Sequence, residues 1–211
     1  MITRRTILTR LAHDRSGLAL TEFALSLPIL AGLVLYGLET VNFAYATQKV
    51  GDIATLTVDN VSRIRVGISE GDVTDTMRGI GGGAANIGFA GNGRIIVSSL
   101  RPVIDSNGNV TNQQIRWQRC TGALRQNSTY GSPGVNLGAD GMGPTGRKVA
   151  ASANSEVIFV EVAYAYQPLI SESLLGPRTL RALAGMNVRD RSSNDITATG
   201  QVSSCSNYSS T

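Results

Sequence analysis

Histidine is nearly absent from this chain. Its 211 residues hold one, His13, with two cysteines, one tryptophan and only 5% aromatic residues. A single imidazole near the start leaves no Ser–His–Asp or Cys–His arrangement and no histidine-built metal site in the rest of the chain. Paired carboxylates remain, such as Asp72 with Asp75, but three-residue spacing on a short helix is ordinary surface chemistry. The reading is therefore a non-enzyme, with no cofactor and no metal. Charge is also scarce, at 16% of residues. The pI of 9.4 suggests nucleic acid until the charges are located. Residues 1–17 carry Arg4, Arg5, Arg10 and Arg15 against Asp14, a net of +3, which leaves the remainder at +1. No nucleic-acid partner is expected, because a phosphate-binding face needs clustered Lys and Arg. A hydrophobic content of 42% and a mean hydropathy of +0.02 exclude a disordered chain. The length suits one globular domain with an appendage.

What is present is a long apolar run. Residues 18–38 contain one charge, Glu22. As a helix at about 1.5 Å per residue they reach roughly 31 Å, the thickness of a bilayer's hydrocarbon core. The alternative is a buried core helix, which rarely runs so far without polar residues. Four arginines precede the run, and Glu39, Lys49, Asp52 and Asp59 follow it. The positive-inside rule then keeps the N-terminus in the cytoplasm and exports the larger C-terminal part. Pro28 removes one helical hydrogen bond, so a kink or local melting is expected around 24–28, softened further by Gly32 and Gly37.

Three export signals fit this region. Ala44-Tyr45-Ala46 offers a small-x-small secretory cleavage site, although the apolar run is long for one and Glu39 interrupts the approach. Arg4-Arg5 suggests a twin-arginine signal, but such pairs are common in basic leaders. The third uses Gly17 and Glu22 together. The stretch Ser16-Gly17-Leu18-Ala19-Leu20-Thr21-Glu22-Phe23-Ala24-Leu25 behind an arginine-rich leader resembles the type IV prepilin signal, and specifically that of the TadE-like minor pilins (pseudopilins) of Tad/Flp pilus systems. Trp117-Gln118-Arg119-Cys120, Val160-Glu161-Val162-Ala163-Tyr164-Ala165-Tyr166-Gln167-Pro168-Leu169 and Val188-Arg189-Asp190-Arg191 are similar to segments of the same family, as are Leu27-Pro28 and the acidic Glu39.

The resemblance implies cleavage by a prepilin peptidase between Gly17 and Leu18, leaving Glu22 as the fifth mature residue and Phe23 after it. It implies as partners the peptidase, other pilin or pseudopilin subunits, an inner-membrane assembly platform and the membrane itself. The chain would then sit in the inner membrane with its C-terminal part in the periplasm, and could enter a surface pilus. A carboxylate at the centre of a membrane helix costs about 2.5–3.5 kcal/mol, so such groups are usually paired and functional. The new amine on Leu18 would lie four residues before Glu22, on the same helix face; the family role has the amine supplied by a neighbouring subunit. The bland alternative places Glu22 at the headgroup level.

The expected organisation is a leader over 1–17, a membrane or filament stem over 18–46, an amphipathic continuation over 47–68 and an exported head over 69–211. Val50, Ala54, Thr57, Val61, Ile64 and Ile68 form the stripe of the continuation. A second helix is capped by Ser69 with Asp72 three residues on, and should stop before Gly79. Glycines 79–83 follow no strand and lack a Lys-Ser/Thr ending, so they read as a flexible connector rather than a phosphate loop. Strands are expected at 94–104 and 110–120 around the turn Asp105-Ser106-Asn107-Gly108-Asn109, with Ile115, Trp117 and Arg119 on one face. The strongest strand is 156–166, ended by Pro168; 186–189 and 196–202 are weaker. The fold class is α+β: a long N-terminal helix packed on a small antiparallel sheet with long Gly-rich loops.

Cys120 and Cys205 are expected to pair in an oxidising compartment, closing a loop for about 4–5 kcal/mol in the chain-entropy model. Free thiols or a link between subunits remain open. Two functions follow: a structural or priming subunit of a pilus, or a membrane-anchored or secreted binding or adhesion module using the Gly-rich stretch 122–146.

Overall fold

The structure, a computed structural model, describes residues 17–65, 67–172, 176–188, 191 and 193–209. The arginine-rich leader with His13, and the Arg189–Asp190 pair, lie outside the described residues. The fold is the expected α+β arrangement of a long helix on a small antiparallel sheet.

Helix α1 (Leu18–Ser62) runs for 45 residues. Its first half is exposed all round. From Glu39 onward one side is buried, through Ala46, Val50, Ile53, Ala54, Thr57, Val58 and Val61. That is the expected stripe as far as Val61, but Ile64 and Ile68 do not continue it. Arg191 takes the carbonyls at the helix end, Nη2 donating to Val61 O at 2.6 Å and Nε to Ile64 O at 2.9 Å. Gly67 then turns the chain at φ 136°, and Ile68 opens the short strand β1 (Ile68–Ser69). The expected melting near Pro28 is not seen, since the helix is continuous through it. Losing one amide leaves one carbonyl short, whereas unwinding would strand several backbone groups on an apolar surface.

Helix α2 (Glu70–Gly82) begins with the expected capping box, in which Ser69 Oγ accepts from Asp72 N and Asp72 Oδ2 accepts from Ser69 N. It passes the expected stop at Gly79 because packing overrides propensity. Gly81 is buried, with the side chains of Ile95 and Phe89 close to its α-carbon. A short turn and α3 (Phe89–Asn92) lead into the sheet.

Four strands, β2 (Gly93–Ile104), β3 (Val110–Thr121), β4 (Val157–Ala165) and β5 (Thr179–Asn187), pair antiparallel in the order β3-β2-β4-β5. The short β6 (Ile196–Thr197) pairs parallel with β1. The β2–β3 turn is built as expected: the Asp105 carboxylate accepts from the amides of Asn107 and Asn109, which hold its pKa below the usual range. Helix α1 lies across β4 and β5. The core between them joins Ile53, Val58 and Val61 of α1 to Ile95, Val97, Trp117, Ile158, Val160, Val162 and Tyr164 of the sheet.

Strand β3 departs from the simple alternation. Ser99 pairs with Trp117 but Leu100 with Ile115, so Arg116 is an extra residue in the ladder. Ile115 and Trp117, expected on one face, therefore serve opposite faces and separate cores. Strand β5 begins earlier than expected, at Thr179. Its inward residues Leu180, Ala182, Ala184 and Met186 pack on the main core. The strand expected at 196–202 shrinks to β6.

The Gly-rich connection between β3 and β4 is a layer, not a free loop. Met142 and Val149 exchange two backbone hydrogen bonds of 2.9 and 2.7 Å, and Met142 and Ala151 join Leu100, Ile115, Val157 and Phe159 in a second core on the other face of the sheet. Buried Gln113 pairs with the Ala151 backbone in both directions.

Candidate functional site

The stem is the first candidate. Leu18 is the first residue of α1, and Gly17 precedes it without a capping side chain. The apolar stretch is long enough to cross a membrane and none of it is buried against the head. Leu18 is 65% exposed and Phe23 56% exposed. Glu22 is also exposed, one turn from Leu18. The helix thus brings Leu18 and Glu22 together, one turn before Ser26 and well clear of Pro28. The hydroxyls in this half return to their own helix: Thr21 Oγ1 donates to Leu18 O at 2.8 Å and Ser26 Oγ to Phe23 O at 3.0 Å. Those groups need no solvent. Glu22 is the one charge on the exposed apolar half.

The second feature is the point where the stem meets the head. Glu39 is fully buried. Its Oε1 accepts from the Tyr166 hydroxyl at 2.6 Å, and its Oε2 from the consecutive amides of Leu169 and Ile170, both at 3.0 Å. Asn42 Nδ2 donates to the same Tyr166 oxygen at 2.8 Å, and Phe43 meets the Tyr166 ring edge-on at 5.2 Å. Burial and the acceptor carboxylate push the Tyr166 phenol up to about 12. Three donors thus lock a carboxylate into the junction. One local signal points to this: Glu39 has no Lys or Arg three or four residues away on its helix, so its partners had to come from elsewhere in the fold.

The third feature is the C-terminal tail. Cys120 and Cys205 form a disulfide across 85 residues, as expected from the sequence. Arg94, missed by the sequence reading, sits buried beside it. Its Nη1 donates to Gly122 O and Asn207 O at 2.7 and 2.6 Å, and its Nη2 to Cys205 O at 2.7 Å. The guanidinium lies 4.3 Å from the centre of the Tyr208 ring. Burial pulls its pKa down from the ordinary arginine value. Arg94 stands in an Ile- and Val-rich strand, the setting in which a lone arginine signals a specific buried acceptor set.

Three ion pairs tie the elements together. Arg119 holds Glu70 at the start of α2 with two nitrogens. Arg116, the extra residue of β3, bridges Glu156 and Asp195 at 3.1 Å each. Burial raises the Glu156 pKa above the usual carboxylate value, against the opposing Ser99 hydrogen bond and the Arg116 and Arg191 charges. A groove of about 370 Å³ is lined by Met77, Arg78, Gly81, Phe89, Ala90 and Thr121. No group of three or more His, Cys, Asp or Glu placed to hold a metal occurs among the described residues. No family model, curated protein or solved structure matches this chain.

Proposed function

We propose that this protein is a minor pilin or pseudopilin, a structural or priming subunit in the assembly of a Tad/Flp-type pilus, processed by a prepilin peptidase between Gly17 and Leu18. The observation that carries the reading is α1 itself. One continuous helix presents a fully exposed apolar half with a single carboxylate, Glu22, and then becomes the core helix of the head. Such a subunit is held in the inner membrane by the stem, with its head in the periplasm, before the stem moves into a filament. There, Glu22 neutralises the amine of Leu18 or of a neighbouring stem. The disulfide fits an oxidising compartment.

Cleavage at Ala46 fits the structure poorly. It would remove Glu39, Asn42 and Phe43, leaving Tyr166 and the Leu169 and Ile170 amides without their partners. The test is the mature N-terminus in membrane and sheared surface fractions. Leu18 supports the pilus reading, Thr47 a secreted binding module, and Met1 an uncut anchor. Gly17→Leu should leave precursor in the membrane. Glu22→Leu should insert at least as well as wild type and be cleaved normally, yet lose pilus incorporation. Normal piliation with Glu22→Leu would remove the charge-pairing role.

A further inference from the structure

We infer that the head is seated on the bilayer through the turn at Leu169 and Ile170, which inserts into the lipid headgroup–acyl boundary beside the stem. The inference rests on the reading that residues 18–38 cross a membrane, and extends it to a second lipid contact made by the head.

Three observations lead there. The apolar stretch reaches about 31 Å at the helical rise, which matches a hydrocarbon core and places its end at the interface. Glu39 is the next residue. Its carboxylate accepts the amides of Leu169 and Ile170 at 3.0 Å each, so that turn is fixed at the height where the helix leaves the lipid. Leu169 is nevertheless 69% exposed and Ile170 36% exposed. Their amides are used and their side chains are not.

Two exposed branched apolar residues on a turn are unremarkable in water. Here they continue the apolar surface of the stem at the same depth, with Tyr36, 52% exposed, one helical turn below. Tyrosine at that level fits the aromatic belt of a membrane boundary. Burying both side chains adds lipid contact, and Glu39 already accepts the two backbone amides of the turn. The occupant is a lipid surface, since Glu39 holds the turn at the level where the apolar stretch of the stem ends. The seat also sets the orientation of the head. Tilting the stem would lift this second contact out of the boundary, so the seat limits the tilt of the head against the membrane plane.

The experiment uses the full chain with its disulfide intact, in vesicles of phosphatidylcholine and phosphatidylglycerol. Single cysteines are introduced in separate variants, Leu169→Cys, Leu30→Cys in the stem and Ser106→Cys at the far hairpin turn, each labelled with an environment-sensitive fluorophore. Lipids brominated at shallow and deep acyl positions act as quenchers. The expected result is strong quenching at position 30 and none at 106. At 169, shallow quenchers should reduce emission about twofold and deep ones less, as for a group 5–10 Å into the boundary. Quenching at 30 with none at 169 overturns the seat and leaves the membrane anchor standing. No quenching at 30 overturns the membrane reading and the seat with it. Because Leu169 is exposed and its bond to Glu39 uses the backbone, the label should leave the fold intact. Unchanged Trp117 emission checks this.

Discussion

Removing the Cys120–Cys205 disulfide separates two ways in which the tail is held. The bond closes a loop with a sequence separation of 85. In the chain-entropy model it therefore stabilises by about 4–5 kcal/mol, by restricting the unfolded chain. The native tail keeps other anchors. Gly71 N donates to Thr199 O at 2.8 Å, Thr74 Oγ1 to Gln201 O at 2.7 Å and Cys120 N to Ser203 O at 2.9 Å, while Arg94 grips Cys205 O and Asn207 O. The Cys120→Ser/Cys205→Ser double variant should thus fold with its tail docked but unfold much earlier. Urea titration of the full chain in detergent, followed by the emission of buried Trp117, reads this directly. With a slope of about 2 kcal/mol per molar urea, the midpoint should fall by roughly 2 M. Exchange of the backbone amides at positions 71 and 120, which donate to the tail carbonyls, should stay slow under native conditions. A midpoint shift equivalent to less than about 1 kcal/mol would refute the entropic account, and rapid exchange at positions 71 and 120 would show instead that the bond acts by holding the native tail in place.

Three more outcomes can be checked on the same material. The folded-state pKa of Tyr166 is raised from 10.0 to about 12, so its contribution to stability is fully present below pH 10 and lost as pH rises through about 12. Phenolate absorbance should show one late-titrating tyrosine, and Tyr166→Phe should lower Tm by about 2–4 °C. Glu156 is also raised, by burial first; stability should therefore decline as pH rises from the ordinary carboxylate pKa through the higher folded value, and Glu156→Gln should flatten that part of the stability–pH curve. Gly122 sits at φ 104°, where an added Cβ would drive into the Gly93 carbonyl oxygen. Gly122→Ala should cost about 3 kcal/mol or more in urea denaturation, and a shift within about 0.5 kcal/mol would show that the backbone there yields.

Periodicity and local chemistry made several elements legible in the sequence. Strand β4 is a nearly unbroken apolar run from Val157 to Ala165, rich in β-branched and aromatic residues and buried on both faces. Ser69 and Asp72 mark the start of α2 by spacing alone. Asp105 and its glycine–asparagine neighbours specify the turn between β2 and β3. What escaped depended on residues distant in sequence. The length of α2 is set by Phe89 and Ile95 packing on Gly81, where local propensity argues for a stop. The extra residue Arg116 is placed by its pairing with Glu156 and Asp195, and nothing in 110–120 reports that. Strand β5 faces the core with alanines at 182 and 184, too small to make the alternation stand out. For the stem, Gly17, Leu18, Glu22 and Phe23 were singled out because their signal is local. Glu39 stood out only as an acidic residue ending the apolar run and Arg94 not at all, because the role of each is explained only by partners more than 25 residues away.

Helix α1 faces two kinds of surroundings, and the boundary between them bears on function. Up to Leu38 its surface is apolar apart from Glu22, and the Thr21 and Ser26 hydroxyls bond back to their own helix, which suits lipid or a bundle of other stems. Beyond Glu39 one side packs on β4 and β5, while Val41, Tyr45 and Leu56 stay exposed on the rest of the helix. Glu39, Asn42 and Phe43 all engage Tyr166, the residue that follows β4. Displacing the stem therefore pulls on the central sheet through a buried carboxylate, a shared phenol and an aromatic contact. A binding module on a tether gains nothing from such a junction, since a flexible linker serves reach better. A subunit extracted from a membrane and packed into a filament needs stem and head to move as one body. The rigid clamp at Glu39 therefore favours the assembly reading independently of Glu22, and Tyr166→Phe should weaken that coupling while leaving membrane insertion and Gly17–Leu18 cleavage unchanged.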